Sequence, residues 1–432
     1  MDDSKKRIFG LVFIWMIWSF ATLIYFQQYY LRVIVGSLSH YLMIDFFLTI
    51  VDLTDLSVLF FVAYIVALPI AGILIDRYGV KKMLLLASFT LTISCFIFSH
   101  SHNDTELAVA RGLMGSSGAF TLISTLIIIR RYFKASLFPI LSGLTLSVGI
   151  LGGVIGNWLL VDLSNTYNWR VLISYTGWFS LALGPLFFIS IHLHEKGEKH
   201  THIAHQAGLK KFFSDVKKFL NQWRNWLPGI YGGFIIAPIV SFACFWSTPF
   251  LRFKYQITLD DSAYYTSYIF WGYAAGAPII AFFIKKVGLK SMMVFCAGLE
   301  LVTMLILINY TLPFSLLPLC LFSLGFTAGA YCLASILTKL LAENDIAACA
   351  FSFTDMISQF IAALTLWLMG EYIFYFHGVK ITQAHRVYLP LVLEHTMELL
   401  AITSLLGLIV ACFVRPPATE RYRRNTKSSS SS

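Results

Sequence analysis

Charge is what this sequence has least of. Only 12% of its 432 residues are Asp, Glu, Lys or Arg, about half the ~25% usual for soluble domains. That deficit excludes the ordinary soluble globular class. Acids are scarcer than bases, 22 against 32, which leaves a net charge of +10. In a soluble chain such an excess would suggest nucleic acid. Here the bases fall in short turns between apolar runs, so no nucleic-acid partner is expected. The seven cysteines form no CxxC pair and each lies in an apolar stretch. A disulfide framework and a thiolate metal site are thereby excluded, and no metal or cofactor is expected. There is no GxxxxGK[ST] phosphate loop. No small-residue cleavage site follows Lys5-Lys6-Arg7, so the first apolar run reads as a membrane helix with a cytoplasmic N-terminus.

What the sequence does have is apolar length. It is 58% hydrophobic, in runs of the ~20 residues that cross a bilayer. Twelve spans are expected near 8–36, 55–76, 82–99, 105–129, 137–161, 170–191, 227–251, 262–284, 290–309, 313–337, 347–370 and 389–413. The fold class is therefore an all-α integral membrane protein, with two six-helix bundles related by pseudo-twofold symmetry. The bundles occupy 1–191 and 227–414, with a central loop at 192–226 and a tail at 415–432. Arg77, Lys81 and Lys82 share a side with Arg130, Arg131 and Lys134, with Lys285, Lys286 and Lys290, and with both termini. The positive-inside bias makes that side cytoplasmic, and a bacterial inner membrane is the expected location. Phe212, Phe213, Val216, Phe219 and Leu220 recur at helical spacing, as a surface-lying amphipathic helix would place them. His192, His194, His200, His202 and His205 crowd the central loop without a defined ligand spacing and read as solvated.

The halves repeat. Gly72-Ile-Leu-Ile-Asp76-Arg77-Tyr-Gly79-Val-Lys81 lies over Ala281-Phe-Phe-Ile-Lys285-Lys286-Val-Gly288-Leu-Lys290 without a gap, and Arg130 then falls on Lys339. Parallel repeats of this kind mark transporters. The 72–82 stretch resembles the loop 2–3 signature of the major facilitator superfamily, G-x-x-x-D-R-x-G-x-K-K. Arg111-Gly-Leu-Met-Gly115-Ser-Ser-Gly118 resembles that family's fourth-helix pattern, and Asn168-Trp169-Arg170 its G-W-R. Tyr29-Tyr30-Leu31-Arg32 resembles the first-helix Y-Y-L-x-R of its organophosphate and organic-anion branch. The resemblance implies a twelve-helix secondary transporter working by alternating access, not an enzyme. In that branch a second arginine precedes a tryptophan by about six residues in the seventh span. Here Trp246 matches the tryptophan but Val240 holds the arginine's place, so one singly charged group suits the site better than a phosphate dianion.

The candidate residues follow. Arg32, Tyr29, Gln28, Arg111 and Trp246 are the substrate-binding candidates. Tyr25, Gln28, Tyr29 and Arg32 share one helix face. The first run is already ~36 Å long before Arg32, so that residue either faces a cavity or ends the helix at the outer surface. Arg111 lies inside the fourth span and needs a partner or a cavity. Gly72, Asp76, Arg77, Gly79, Lys81, Arg130 and Arg131 form the gating set, with Asp76 pairing a cation. Asp355 and Glu300 are the acids at membrane depth, the position where carboxyls relay protons. In the fifth span, Gly149, Gly152, Gly153 and Gly156 make a small-residue face for close helix contact. The expected cargo is a small organic anion or zwitterion moved with protons by a monomer in the lipid bilayer. An exporter of a metabolite, siderophore or drug is the alternative. A multi-span membrane enzyme or receptor would leave the duplicated basic turn without a role.

Overall fold

The computed structural model describes residues 3–48, 50–197, 209–377 and 389–415, and among them every regular element is helical. The first half contains α1 (Asp3–Ser37), α2 (Ser39–Phe46), α3 (Ile50–Tyr78), α4 (Val80–Ser99), α5 (Asp104–Tyr132), α6 (Phe138–Ser164) and α7 (Trp169–Gly197). Next come α8 (Leu209–Asn221), α9 (Leu227–Ala237) and α10 (Ser247–Tyr255), the last two joined by a π-helix over Pro238–Trp246. The chain continues through α11 (Leu259–Val287), α12 (Leu289–Asn309), α13 (Leu317–Ala328), α14 (Tyr331–Leu341), α15 (Ala347–His377) and α16 (Leu389–Phe413). Eleven helical stretches among the described residues are long and apolar enough to cross a membrane. With the 35-residue α1 they give the all-α, roughly twelve-span architecture the sequence predicts.

Two spans are less regular than their hydropathy suggests. The seventh passes through the π-helix, whose wider turn begins at Pro238; proline removes a backbone donor and opens the ladder there. The tenth breaks between α13 and α14 at Gly329 and Ala330. The central 192–226 segment is helical at both sides of its undescribed part, since α7 runs on to Gly197 and α8 covers the predicted amphipathic stretch.

The chain forms two compact units. One comprises Met1–Lys218 with Glu343–Met356, the other Phe219–Ala342 with Ile357–Ser432. In the first, α1 packs on α6, α3 on α5, and α4 on both α5 and α7. A β-carbon at Gly152 would collide with the Phe26 carbonyl, and one at Gly156 would lie 2.8 Å from Val33. The small-residue face of the fifth span is therefore what lets α6 approach α1, as membrane packing without a hydrophobic drive requires. Leu31, Ile34, Phe60, Phe98, Met114 and Trp169 fill the adjoining core. Helix α5 starts from a capping box: Asn103 accepts from the Glu106 N–H while Glu106 accepts from the His102 N–H, satisfying exposed donors reciprocally. The Asn168-Trp169-Arg170 corner also acts as a clasp. Trp169 Nε1 donates to Asp45 at 2.9 Å, and Arg170 donates to the Ser99 and Ser101 carbonyls. In the second unit α11 packs on α13, α12 on α16, and α9 on α14 and α16.

The internal repeat is visible in backbone angles. Gly79 precedes α4 with φ 85° and ψ 151°, and Gly288 precedes α12 with φ 89° and ψ 151°. This region is open only to glycine. Nothing lies within 4 Å of a β-carbon built at Gly79, so the residue is there for its angle and not for space. Gly79→Ala is expected to lower the thermal unfolding temperature of the purified protein, at a backbone cost of ~1–3 kcal/mol. An unchanged melt would show that the turn relaxes.

Candidate functional site

Three segments of the first unit build the site: the middle of α1, the length of α3, and the first turns of α15. Helix α1 supplies Thr22, Tyr25, Gln28, Tyr29 and Arg32, spaced to share one face. Arg32 does not end the helix, which runs on to Ser37. Its half-buried guanidinium lies 4.4 Å from the Tyr29 ring centroid, 5.3 Å from Phe61, 5.3 Å from Tyr64 and 5.8 Å from Phe60. Rings cover the faces of the cation, an arrangement worth up to ~2 kcal/mol when desolvated. Its edge is another matter. Arg32 Nε is buried and has no hydrogen-bond partner among the described residues. Gln28 is fully buried, and neither its Oε1 nor its Nε2 has a partner there. Buried polar groups left unpaired are the exception in folded proteins, and each calls for an explanation.

Helix α3 presents Phe60, Tyr64, Leu68, Gly72 and Asp76 at four-residue steps, hence along one slowly turning stripe. The 343–356 segment lies on that stripe. At one end Asp76 caps α15: its Oδ1 accepts from Ala348 N at 2.9 Å and its Oδ2 from Cys349 N at 2.8 Å. Charge at a helix N-terminus is the favourable placement. In the middle, a β-carbon at Gly72 would lie 2.8 Å from Cys349 Cα and from Ser352 Oγ, so glycine is what lets the two helices touch. At the far end, the buried Tyr64 hydroxyl donates to Asp355 Oδ2 at 2.6 Å. Asp355 also acts electrostatically on Arg32. Cation, ring, hydroxyl and carboxyl thus form one chain of contacts, Arg32–Tyr64–Asp355.

The other predicted residues are distributed as follows. Arg111 is fully buried on α5, with its guanidinium 4.6 Å from the Phe60 centroid. It donates to the backbone carbonyls of Leu56, Leu31 and Arg32 at 3.2, 2.7 and 3.4 Å, and so stitches α5 to α1 and α3. Arg130 donates to Asn344 Oδ1 at 2.9 Å and lies within electrostatic reach of Asp76. Arg77 and Arg131 are exposed, each over its neighbouring tyrosine ring. Lys81 Nζ lies 3.0 Å from His192 Nδ1 and 4.7 Å from the Phe188 centroid. Gly79 serves the turn. His194 packs its ring on Tyr132, while His200, His202 and His205 lie outside the described residues.

Two candidates belong to the second unit. Glu300 is fully buried on α12, where Ser404 Oγ lies 3.0 Å from Oε1 and Oε2 has no partner among the described residues. Trp246 closes the π-helix, and its buried Nε1 likewise has no described partner. Of the polar residues beside Asp355 in sequence, Ser358 donates to the Gly229 carbonyl within the second unit.

Tyr64 is the site residue that sequence reasoning missed. Its signal was present: it stands three four-residue steps before Asp76, on the same face as the conspicuous Gly72.

An all-helical chain with about twelve spans, a duplicated basic turn and buried charge at depth is a multi-span membrane protein with the architecture of a transporter. The chain belongs to the major facilitator superfamily, whose family model matches residues 17–364. Its fold is similar to that of a variant of the E. coli fucose:proton symporter, with a TM-score of 0.66 at 12% identity over 92% of this chain and 98% of that one. It is also similar to a proton:xylose symporter bound to 6-bromo-6-deoxy-D-glucose, with a TM-score of 0.70 at 13% identity over 94% and 97% of the two chains. No curated protein sequence matches it.

Proposed function

We propose that this transporter moves a small, singly charged organic anion together with a proton, with Arg32 as the anion's contact and Asp355 as the proton's. One observation carries the reading: a half-buried guanidinium whose faces are covered by rings while its Nε donor is buried and unused. The edge of a guanidinium is the fork that a carboxylate fills with two parallel hydrogen bonds. Among the described residues of this site Arg32 is the cation left open, because Arg111 is committed to backbone carbonyls.

Asp355 supplies the coupling. Its charge competes with any anion for Arg32, as Coulomb's law requires at short range in a low dielectric. A proton on Asp355 removes that competitor, so proton and anion favour each other's binding, and by linkage the effect is reciprocal. Tyr64 holds the acid in place through its hydroxyl. The Asp76 cap and the Gly72 contact act as the gate, made and broken as the 343–356 segment docks and leaves. The positive-inside pattern supports cytoplasmic termini and a cytoplasmic position for Asp76. Glu300, a buried acid with one partner, is the second candidate for a coupling proton. The chain carries out this cycle as a monomer.

The test uses protein reconstituted in vesicles. Wild-type uptake of a carboxylate is expected to follow an inward proton gradient. Asp355→Asn is expected to give exchange that ignores the gradient. Gradient-driven uptake by Asp355→Asn would remove Asp355 from the coupling.

A further inference from the structure

Resting on the proposed anion site at Arg32, we infer that the cargo is a hydroxylated carboxylate and that Gln28 is the residue that selects it. Gln28 lies one turn from Arg32 on α1, with β-carbons ~6 Å apart as i and i+4 residues are. Its carboxamide is fully buried, yet neither the oxygen nor the nitrogen has a hydrogen-bond partner among the described residues. A buried carboxamide with neither atom paired is an exception among buried polar groups, most of which find a partner. The position is also held tightly. A β-carbon at Gly118 of α5 would lie 2.8 Å from Gln28 Cγ and 2.9 Å from its Nε2, so glycine there makes room for this side chain. Thr22, on the same face of α1, keeps a further buried hydroxyl without a described partner.

The chemistry of the missing partner follows from what is unsatisfied. Oε1 needs a donor and Nε2 needs an acceptor. An unsubstituted aliphatic carboxylate has no donor to offer Oε1. A hydroxyl supplies both functions, donating to Oε1 and accepting from Nε2. The site therefore takes a hydroxylated carboxylate in preference to its deoxy counterpart.

Two probes of equal length decide it: glycerate and propionate, measured by competition and by thermal shift on the purified full chain. The wild type is expected to prefer glycerate by tenfold or more. Gln28→Met keeps the volume and removes both polar atoms, and it is expected to reduce the ratio to near one. Gly118→Ala perturbs the same carboxamide from the other side and is expected to lower the ratio without touching Arg32, so the test does not depend on one variant folding. A wild-type ratio near one, or a ratio that survives both substitutions, overturns the inference and leaves the anion reading standing if Arg32→Gln still abolishes carboxylate binding. If neither probe binds and Arg32→Gln changes nothing across a carboxylate panel, the anion reading fails and this inference falls with it.

Discussion

Arg32→Gln is expected to abolish binding and uptake of carboxylates. The substitution removes the charge and the fork while keeping polarity and much of the length. Truncating one side of a buried, hydrogen-bonded charge pair costs 2–5 kcal/mol, so affinity is expected to fall at least ~30-fold. Arg32→Lys separates charge from geometry. Lysine keeps the cation but presents a point charge without the planar fork, and its variant is expected to fall between wild type and Arg32→Gln. The ring contacts to Tyr29, Phe61 and Tyr64 also weaken with an ammonium, which stacks less well than a guanidinium. Thermal shift with a saturating carboxylate measures the binding step directly. A transported ligand that is neutral, and whose affinity Arg32→Gln leaves alone, would sink the anion reading.

Asp76→Asn is the second large effect, and it acts on the cycle and not on the ligand. Both carboxyl oxygens of Asp76 accept backbone N–H groups, from Ala348 and Cys349. An asparagine keeps one acceptor and turns an NH2 toward the other N–H. It also removes the negative charge from the N-terminus of α15. Caps and helix-end charges are each worth ~0.5–2 kcal/mol, so the docked state of the 343–356 segment is expected to lose ~1–3 kcal/mol, a population shift of roughly 5- to 150-fold. Transport is expected to fall sharply while membrane insertion and ligand affinity stay near normal. Gly72→Ala reaches the same contact by another route, because its β-carbon would press on Cys349 and Ser352. Normal uptake by Asp76→Asn would take this residue out of the mechanism.

Hydrophobic runs and basic turns were enough to read the fold, because a bilayer leaves helices few alternatives. The gapless overlay of the two loops put Gly79 on Gly288, and the structure gives both the same backbone conformation, one that only glycine reaches. The glycines of the fifth span likewise announced a close helix contact. The sequence read less well where the answer was a contact and not a pattern. Asp76 was expected to meet a cation; it meets two backbone N–H groups as well as the field of Arg130, because a capping carboxylate looks the same in sequence as an ion-paired one. Arg111 showed as a buried cation, but nothing in its neighbours could say that carbonyls of α1 and α3 would take its donors. Tyr64 stayed hidden because a tyrosine in an apolar span is ordinary until the acid it faces, 291 positions later, is brought beside it. The π-helix at Pro238–Trp246 was equally silent, since a proline in a span predicts a disturbance but not its kind.

The separation between Tyr64 and Asp355 also sets an order of events in the making of the protein. A ribosome delivers α3 long before residues 343–356 exist. Until they emerge, the Asp76 carboxyl and the Tyr64 hydroxyl lack the backbone N–H groups and the carboxylate that they meet in the finished unit. The first unit is thus finished only when most of the chain has been translated. A chain that stops before Glu343 lacks the strip that completes its own first unit, although the helices α1 to α7 are all present.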